Sequence, residues 1–532
     1  MTPQTTPKPV KRSKRVPLST VAALLIGSSL IGQVLGFMRT KLVNANFPVG
    51  GPHSTAAYFA AFDIPDFFFF TIAAGALGVA FMPVLADRLA KGDRKGVWDL
   101  STSLMNLLSI VMAVVAVVIL VFARPLIHYV VAPSLKGEQL RNAVVIMRLL
   151  AFNPLLFTLS GVLTASQQAL GRFFFYAIAP LFYNLSIIVS IFLFRHNIGL
   201  IGLGIGALVG GILQLLIVLF GLTKTKFRWK PHILWHNHDF QSILRNLPPR
   251  SFDQGLDQIE SIVETHLASN LGSVYISYYS NAYILQTAPT LLIGTAISTA
   301  AFPRLNDRLS QGRPDLFRRE FLNVLRVMIW IAMPVVVICY FGRGYLARMI
   351  FTKDASQIAT IFGFLTVAIL FNTLYSIISR WFYAHKDTKT PLFVSIFTIG
   401  LNIILAVTLS RPHAYGVAGL AIAQSIVSMI EVIILFTIML IRDHKLFDMR
   451  FFGGCARIVS VTGFSVVAGA TAVAFLPLGA EDKGFITLGT KLFFISFVVI
   501  AVHVAVSSLF GLEEVQPIFR RFKQVILKPI HI

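Results

Sequence analysis

Apolar positions in this chain run in long unbroken stretches instead of alternating with polar ones. Runs of about 20 residues recur from Val21 almost to the C-terminus, the length an α-helix needs to cross a ~30 Å hydrocarbon core. The pattern predicts helices at 19–44, 54–86, 98–123, 138–168, 173–194, 199–222, 243–270, 274–303, 318–341, 356–383, 390–410, 414–441, 456–477 and 487–510. The longest of these should tilt, kink or project beyond the bilayer, with Pro65, Pro83, Pro154, Pro289 and Pro303 as the expected kink points. The fold class is an all-α polytopic membrane protein of about fourteen transmembrane helices.

Composition agrees. Of 532 residues, 56% are hydrophobic and 13% charged, against roughly 25% charged in a soluble domain. The formal charge of +23 comes from 46 Lys+Arg against 23 Asp+Glu. In a membrane protein such an excess belongs to basic loops beside anionic lipid headgroups, and no nucleic-acid-binding motif accompanies it. Cys339 and Cys455 lie in separate segments without metal-ligand spacing, so neither a disulfide framework nor a metal site is predicted. The apolar stretch after the basic segment Met1 to Arg15 is too long for a signal-peptide core and reads as a retained first helix.

The basic residues concentrate in alternate loops: Lys11 to Arg15, Arg88 to Lys95, Lys224 to Lys230, Arg304 to Arg319, Arg442 to Arg450 and Arg520 to Lys523. The other loops hold only scattered cations such as Lys136, Arg195, Arg343, Arg411 and Lys483. The positive-inside rule then puts both termini in the cytoplasm.

The decapeptide Pro83-Val-Leu-Ala-Asp-Arg-Leu-Ala-Lys-Gly92 recurs as Pro303-Arg-Leu-Asn-Asp-Arg-Leu-Ser-Gln-Gly312, identical at six of ten positions. A weaker echo links Thr158-Leu159 with Thr373-Leu374, ahead of Ala169 and Ala384. Two six-helix halves related in parallel follow, an arrangement that builds alternating-access transporters with a site between the halves. The expected organisation is a basic N-terminus over 1–18, an N-lobe over 19–222, a cytoplasmic linker over 223–242, a C-lobe over 243–441, two further helices over 456–510 and a tail over 511–532.

Asp253, Asp257, Glu260 and Glu264 on the seventh helix share one face by their spacing of four, three and four. Acids inside a bilayer are costly and face a water-filled cavity or a partner. The stripe either lines a cavity that takes up a proton or cation, or forms a solvated cytoplasmic face on a helix that starts late, after Pro248-Pro249. Ser28, Gly32 and Gly36 make a small-residue face suited to helix packing. Arg39, near the outer end of that helix, either snorkels to the headgroups or points inward to bind an anion, and Arg148 and Arg380 share that ambiguity. The run Phe67 to Phe70 reads as packing or lipid-facing. No nucleophilic triad and no phosphate-cradling glycine loop is present, so energy must come from an ion gradient, the membrane potential or the substrate gradient.

Three segments carry a family resemblance. Gly32-Gln-Val-Leu-Gly-Phe-Met-Arg39, Ala61-Phe-Asp63-Ile-Pro65-Asp66 and Gly75-Ala-Leu-Gly-Val-Ala-Phe81-Met-Pro83-Val-Leu85 resemble the start of the MurJ/MviN lipid II flippases, members of the multidrug/oligosaccharidyl-lipid/polysaccharide exporter superfamily. Gln286-Thr-Ala-Pro289 through Pro303-Arg-Leu305 is similar to the family's eighth helix, and Tyr383-Ala-His-Lys-Asp387-Thr-Lys-Thr-Pro391 to its eleventh-helix entry. The resemblance covers essentially the whole chain and implies that the last two helices form a groove for a lipid tail. The chain departs from the family where arginines are expected, at Gln33, near Phe69-Phe70 and near Ile284, and at Thr40, where the family's Arg-Asp pair keeps only its arginine, Arg39. It also has Ala74 near an expected Glu, and its seventh helix is richer in acid than the family pattern.

The resemblance implies a flippase that moves an undecaprenyl-diphosphate-linked peptidoglycan precursor, lipid II, across the bacterial inner membrane by alternating access. It is a transporter and not an enzyme, with no cofactor and with coupling to sodium, protons or membrane potential. Arg39, Gln33, Arg148 and Arg380 are the expected substrate-binding residues. Asp253, Asp257, Glu260, Glu264 and Asp387 are expected to couple ions or protons. Expected partners are the lipid-linked precursor, membrane lipids and cell-wall synthesis enzymes, with no nucleic acid. Two other readings stand beside this one: a cation- or proton-coupled exporter of small cationic compounds, and a non-transporting scaffold for cell-wall synthesis.

Overall fold

The computed structural model describes residues 18–74, 81–223, 225, 227–351 and 354–516, without the side chains of 18–23, 26, 74 and 246–254. Every regular element among them is helical. The N-lobe comprises α1 (Leu18–Asn46), α2 (Thr55–Phe69), α3 (Met82–Ala90), α4 (Arg94–Pro125), α5 (Gly137–Leu150), α6 (Asn153–Ala169), α7 (Phe174–Phe194) and α8 (Ile201–Gly221). The C-lobe comprises α9 (His238–Leu271), α10 (Ser273–Thr290), α11 (Ala296–Ser310), α12 (Pro314–Phe341), α13 (Arg343–Ile350), α14 (Ala355–Ala384), α15 (Lys389–Leu409) and α16 (Val417–Arg442). Two further helices, α17 (Met449–Phe475) and α18 (Phe485–Leu509), follow it.

Among the described residues twelve helical stretches are long and apolar enough to cross a membrane. With α1 and α9, of 29 and 34 residues, the long segments number the expected fourteen; α9 falls outside the apolar class because of its acids. Short loops make consecutive segments antiparallel, so the first and last described residues lie on one face of the protein, here the termini face.

The repeated decapeptide is a helix stop. At the end of α3, Gly92 has φ +76° and donates to the Leu89 carbonyl, while Asp93 N–H closes on Arg88. At the end of α11, Gly312 has φ +67° and Gly312 and Arg313 repeat both bonds to Leu309 and Arg308. Glycine is needed there because a left-handed residue carries no Cβ penalty only when it is glycine. Arg88 then pairs with Asp93 at 2.8 Å and Asp239 at 2.6 Å, and its counterpart Arg308 with Glu320 at 2.8 Å. The weaker echo is equivalent: Gly171 and Lys386 both take positive φ after Ala169 and Ala384. A π-helical turn follows α2 at Phe70–Ala74 and another follows α10 at Leu291–Thr295, so this irregularity too recurs in both halves.

Several expectations change. The predicted helix over 98–123 starts at Arg94, where Asp93 accepts from the Gly96 amide. α9 starts at His238, inside the predicted linker, because Asn237 caps it by accepting from the Asp239 and Phe240 amides. The helix therefore runs through Pro248-Pro249, and the late start allowed for the acid stripe does not occur. Its first turns pack into the N-lobe, where Phe240 and Ile243 join the core of Leu85 and Val97. α13, an eight-residue helix, occupies what was read as loop. The predicted helix 138–168 is two helices, broken at Ala151–Phe152 before Pro154. The tight small-residue face lies on α8, not α1. A methyl on Gly206 would sit 2.2 Å from Ser190 Oγ, and one on Gly210 3.0 Å from the Tyr183 carbonyl, whereas one on Gly32 meets only Leu181 at 3.5 Å and one on Gly36 meets nothing.

Candidate functional site: an acidic cavity between the lobes

On the face opposite the termini the lobes are tied by polar contacts. Asn44 and Asn281 exchange amide hydrogen bonds at 3.1 and 3.0 Å, Thr55 meets Ser277 at 2.9 Å, and Ser134 meets Ser269 at 2.7 Å. Below these ties a cavity of about 800 Å³ extends between α2, α9, α10, α14, α15 and α16, towards the end of α14 that carries Arg380 and Tyr383.

Six carboxylates line it: Asp63 and Asp66 from α2, Asp257, Glu260 and Glu264 from α9, and Glu431 from α16. Among the lining residues Arg380 is the one Lys or Arg. It lies over the Phe302 ring at 5.1 Å from the centroid. Glu264 is buried (6% exposed), and so is Asn402 (1%). Asn402 donates its side-chain N–H groups to Glu260 Oε1 and, at 3.3 Å, to Glu264 Oε1. In one amide orientation Gln424 Oε1 accepts from Asn402 at 3.2 Å; turned over, Gln424 donates to Glu260 at 3.0 Å and Glu264 at 3.2 Å. Ser395 donates to Glu431 at 2.9 Å. Asp63 Oδ2 has no hydrogen-bond partner among the described residues. Four helices thus converge on neighbouring carboxylates supported by neutral amides, an arrangement that attracts a cation or proton and repels a bare anion.

The predicted residues divide. Asp257, Glu260, Glu264 and Arg380 meet in the cavity; Asp253 lies on α9, but its side chain is outside the described residues. Arg39 and Gln33, on α1, are not part of the lining, although Arg39 is within electrostatic range of Asp66 and Tyr58. Arg148 is exposed on the outside of the N-lobe, where its Nε donates to the Leu120 carbonyl at 3.1 Å. Asp387 is placed elsewhere: it sits in the turn between α14 and α15, accepts from the Lys389 and Thr390 amides at 3.0 Å and pairs with Arg442. Burial opposes its ionisation, but the Thr390 hydroxyl, Arg442 and the Thr390 amide outweigh it and hold its carboxyl at about 2. That geometry locks the turn, away from the cavity lining.

Sequence reasoning did not single out Asp63, Asp66, Asn402, Gln424 or Glu431 as site residues. The signal was present: all five are polar groups in apolar helices, Asp63 and Asp66 three apart on α2 and Gln424 and Glu431 seven apart on α16.

Two lobes that share the Pro83/Pro303 helix stop, packed around a polar cavity, define a multi-pass membrane transporter fold. Solved structures share it: an inward-facing multidrug resistance MATE family transporter superposes with a TM-score of 0.64 at 16% identity, covering 82% of this chain and 98% of that one. A lipid II flippase MurJ in an inward closed conformation superposes with a TM-score of 0.75 at 22% identity, covering 92% and 98%. The family described as "Lipid II flippase MurJ" matches residues 49–477, and the chain belongs to that family. Relatives include a probable lipid II flippase MurJ of Borreliella burgdorferi, 25% identical over 81% of this chain and 84% of that protein. The lipid II flippase MurJ of Burkholderia cenocepacia is 27% identical over 77% and 81%.

Proposed function

We propose that this protein flips lipid II, an undecaprenyl-diphosphate-linked peptidoglycan precursor, from the inner to the outer leaflet of the bacterial inner membrane. Family membership supplies the substrate class. The observation that carries the mechanism is the cavity between the lobes, capped on the face opposite the termini by the Asn44–Asn281 and Thr55–Ser277 contacts. A sugar-peptide diphosphate cannot cross hydrocarbon without replacing its lost hydration. The cavity offers that replacement while the lobes rock about it. With both termini cytoplasmic, as the basic loops favour, the tied face is periplasmic and the cavity belongs to an inward-facing state.

The prenyl tail has a second, apolar groove of about 560 Å³ against α13 and α18, lined by Met349, Phe485 and Phe493 among others. The carboxylates make the cycle cation-dependent: a sodium ion or proton at Glu260 and Glu264 lowers the negative charge of the wall before a diphosphate enters. Depletion of the protein in its native host, with lipid II located by leaflet, tests the reading. Accumulation in the inner leaflet, relieved by the wild-type gene, supports it; an unchanged distribution with growth intact refutes it.

The acid-rich wall favours one competing reading, a cation-coupled exporter of small cationic compounds. Export of an organic cation without movement of lipid II in proteoliposomes would establish that reading instead.

A further inference from the structure

A second cavity, of about 1160 Å³, opens on the termini face between the start of α12, the α16–α17 loop and the turn after α18. It shares no lining residue with the interlobe cavity. Six cationic side chains line it: Arg318, Arg319, Arg326, Lys445, Arg450 and Arg457. The acids on its wall are already engaged. Asp315 is 2.9 Å from Arg318, Glu320 is 2.8 Å from Arg308, Glu513 is 3.8 Å from Arg326, and Asp448 caps α17 by accepting from the Phe451 amide at 2.8 Å.

Of the cations, Arg318 is matched by Asp443 at 2.7 Å and Arg326 by Glu514 at 2.6 Å. Arg319, Lys445, Arg450 and Arg457 are exposed and have no hydrogen-bonded or ion-paired side-chain partner among the described residues. The chain's ends offer no acidic side chain, since neither residues 1–17 nor 517–532 contain Asp or Glu.

Placement points to the occupant. Arg450 and Arg457 are seven residues apart on α17, as Arg319 and Arg326 are on α12, so each helix presents its pair on one face. Both helices begin at this cavity, and their N-terminal dipoles add to its positive field. Apolar side chains adjoin it in the chain: Met449, between the lining Asp448 and Arg450, is 85% exposed, and Leu509, two residues before the lining Gly511, is 84% exposed. A cationic pocket at the start of two helices long and apolar enough to cross a membrane, beside exposed apolar side chains, matches a ligand with a phosphate head and acyl tails.

We propose that this pocket binds the headgroup of an anionic phospholipid from the leaflet on the termini side, its phosphate set against Arg319, Arg450 and Arg457 and its chains along α17 and the end of α18. A free phosphate shares the head chemistry but has nothing to place against these apolar side chains.

The test uses the full-length protein in non-ionic detergent, with bound lipid counted by native mass spectrometry during titration with cardiolipin, phosphatidylethanolamine or inorganic phosphate. Arg319→Gln/Arg450→Gln/Arg457→Gln is compared with Lys91→Gln/Arg94→Gln/Lys95→Gln, which removes equal charge from exposed cations of the N-lobe on the same face. Loss of three cations that face the lipid phosphate should make the pocket triple bind cardiolipin at least roughly tenfold more weakly. The control should retain wild-type binding, phosphatidylethanolamine should bind weakly to all, and inorganic phosphate should not displace cardiolipin. Equal weakening in both triples would mean diffuse surface attraction, and weakening in neither would leave the pocket without a role; either overturns the proposal. Displacement by phosphate would reassign the site to a soluble anion. Should the pocket triple fail to fold, Arg457→Gln alone carries the same comparison, with a smaller expected loss.

Discussion

Asn44 and Asn281 reach across the lobe boundary and satisfy each other, each amide nitrogen donating to the other's oxygen at 3.1 and 3.0 Å. Both are buried, at 7% and 0% exposure. Removing one side chain strands the other, at a cost of about 1–3 kcal/mol that falls only on the state in which this face is closed. Asn44→Leu or Asn281→Leu should therefore populate a state open at the tied face. Spin labels at His53 and Tyr415, exposed on that face in opposite lobes, report it as a longer distance component. An unchanged distance distribution in both variants would show that the pair does not hold the lobes.

The glycines of α8 are set against α7 more tightly than any on α1. Gly210→Ala forces a methyl to within 3.0 Å of the Tyr183 carbonyl and 3.1 Å of its Cα, backbone that cannot rotate away. Overpacking of this kind costs about 1–3 kcal/mol. Thermal unfolding in detergent should show a clear loss for Gly210→Ala and no loss for Gly36→Ala. The opposite order would return the packing role to α1.

Asp387 gives the turn between α14 and α15 an acid-sensitive lock. Its carboxyl is held at about 2 against an ordinary 3.8, so the stabilisation is present in full above the unfolded value and disappears as pH falls through the folded one. The shift corresponds to about 2 kcal/mol, and the half-exposed Arg442 partner reduces this to about 1 kcal/mol after screening. Asp387→Asn should lower the melting temperature at pH 6, and the gap to wild type should narrow by about half at pH 3 and close only as pH falls below about 2. A gap independent of pH would mean that packing, not the ion pair, is responsible.

The parts of this protein that were legible in the sequence are those written in local periodicity. Long apolar runs give the helices, the Pro83 and Pro303 decapeptides give the two halves, and the spacing of Asp257, Glu260 and Glu264 gives one wall of the cavity. What stayed hidden depends on residues far apart in the chain. Asn402 reaches Glu260 across 142 positions, and Arg442 fixes the role of Asp387 across 55. Local signals also competed: Asn237 starts α9, while Pro248-Pro249 pointed to a later start that the cap overrides. α13 is too short, and too broken by Arg343 and Arg348, to show a helical period.

Asn402 also sets the sharpest test of the cavity. Two carboxylates about 5–6 Å apart repel by about 3 kcal/mol at an effective dielectric of about 20, and Asn402 relieves this by donating to both Glu260 and Glu264. Asn402→Leu removes the donor but keeps the charges, so the pair should hold a proton or sodium ion more tightly. The loss of about 1–2 kcal/mol of charge-directed hydrogen bonding corresponds to a roughly five- to thirty-fold gain in apparent cation affinity, with slower turnover as release becomes limiting. Glu260→Gln/Glu264→Gln should do the reverse and make transport independent of the imposed gradient. Both are measured in proteoliposomes as lipid II movement under pH or sodium gradients. Opposite shifts in the two variants locate coupling at this pair. If Asn402→Leu leaves cation dependence unchanged while the double carboxamide variant still responds to the gradient, the cation binds elsewhere, and these carboxylates only shape the cavity.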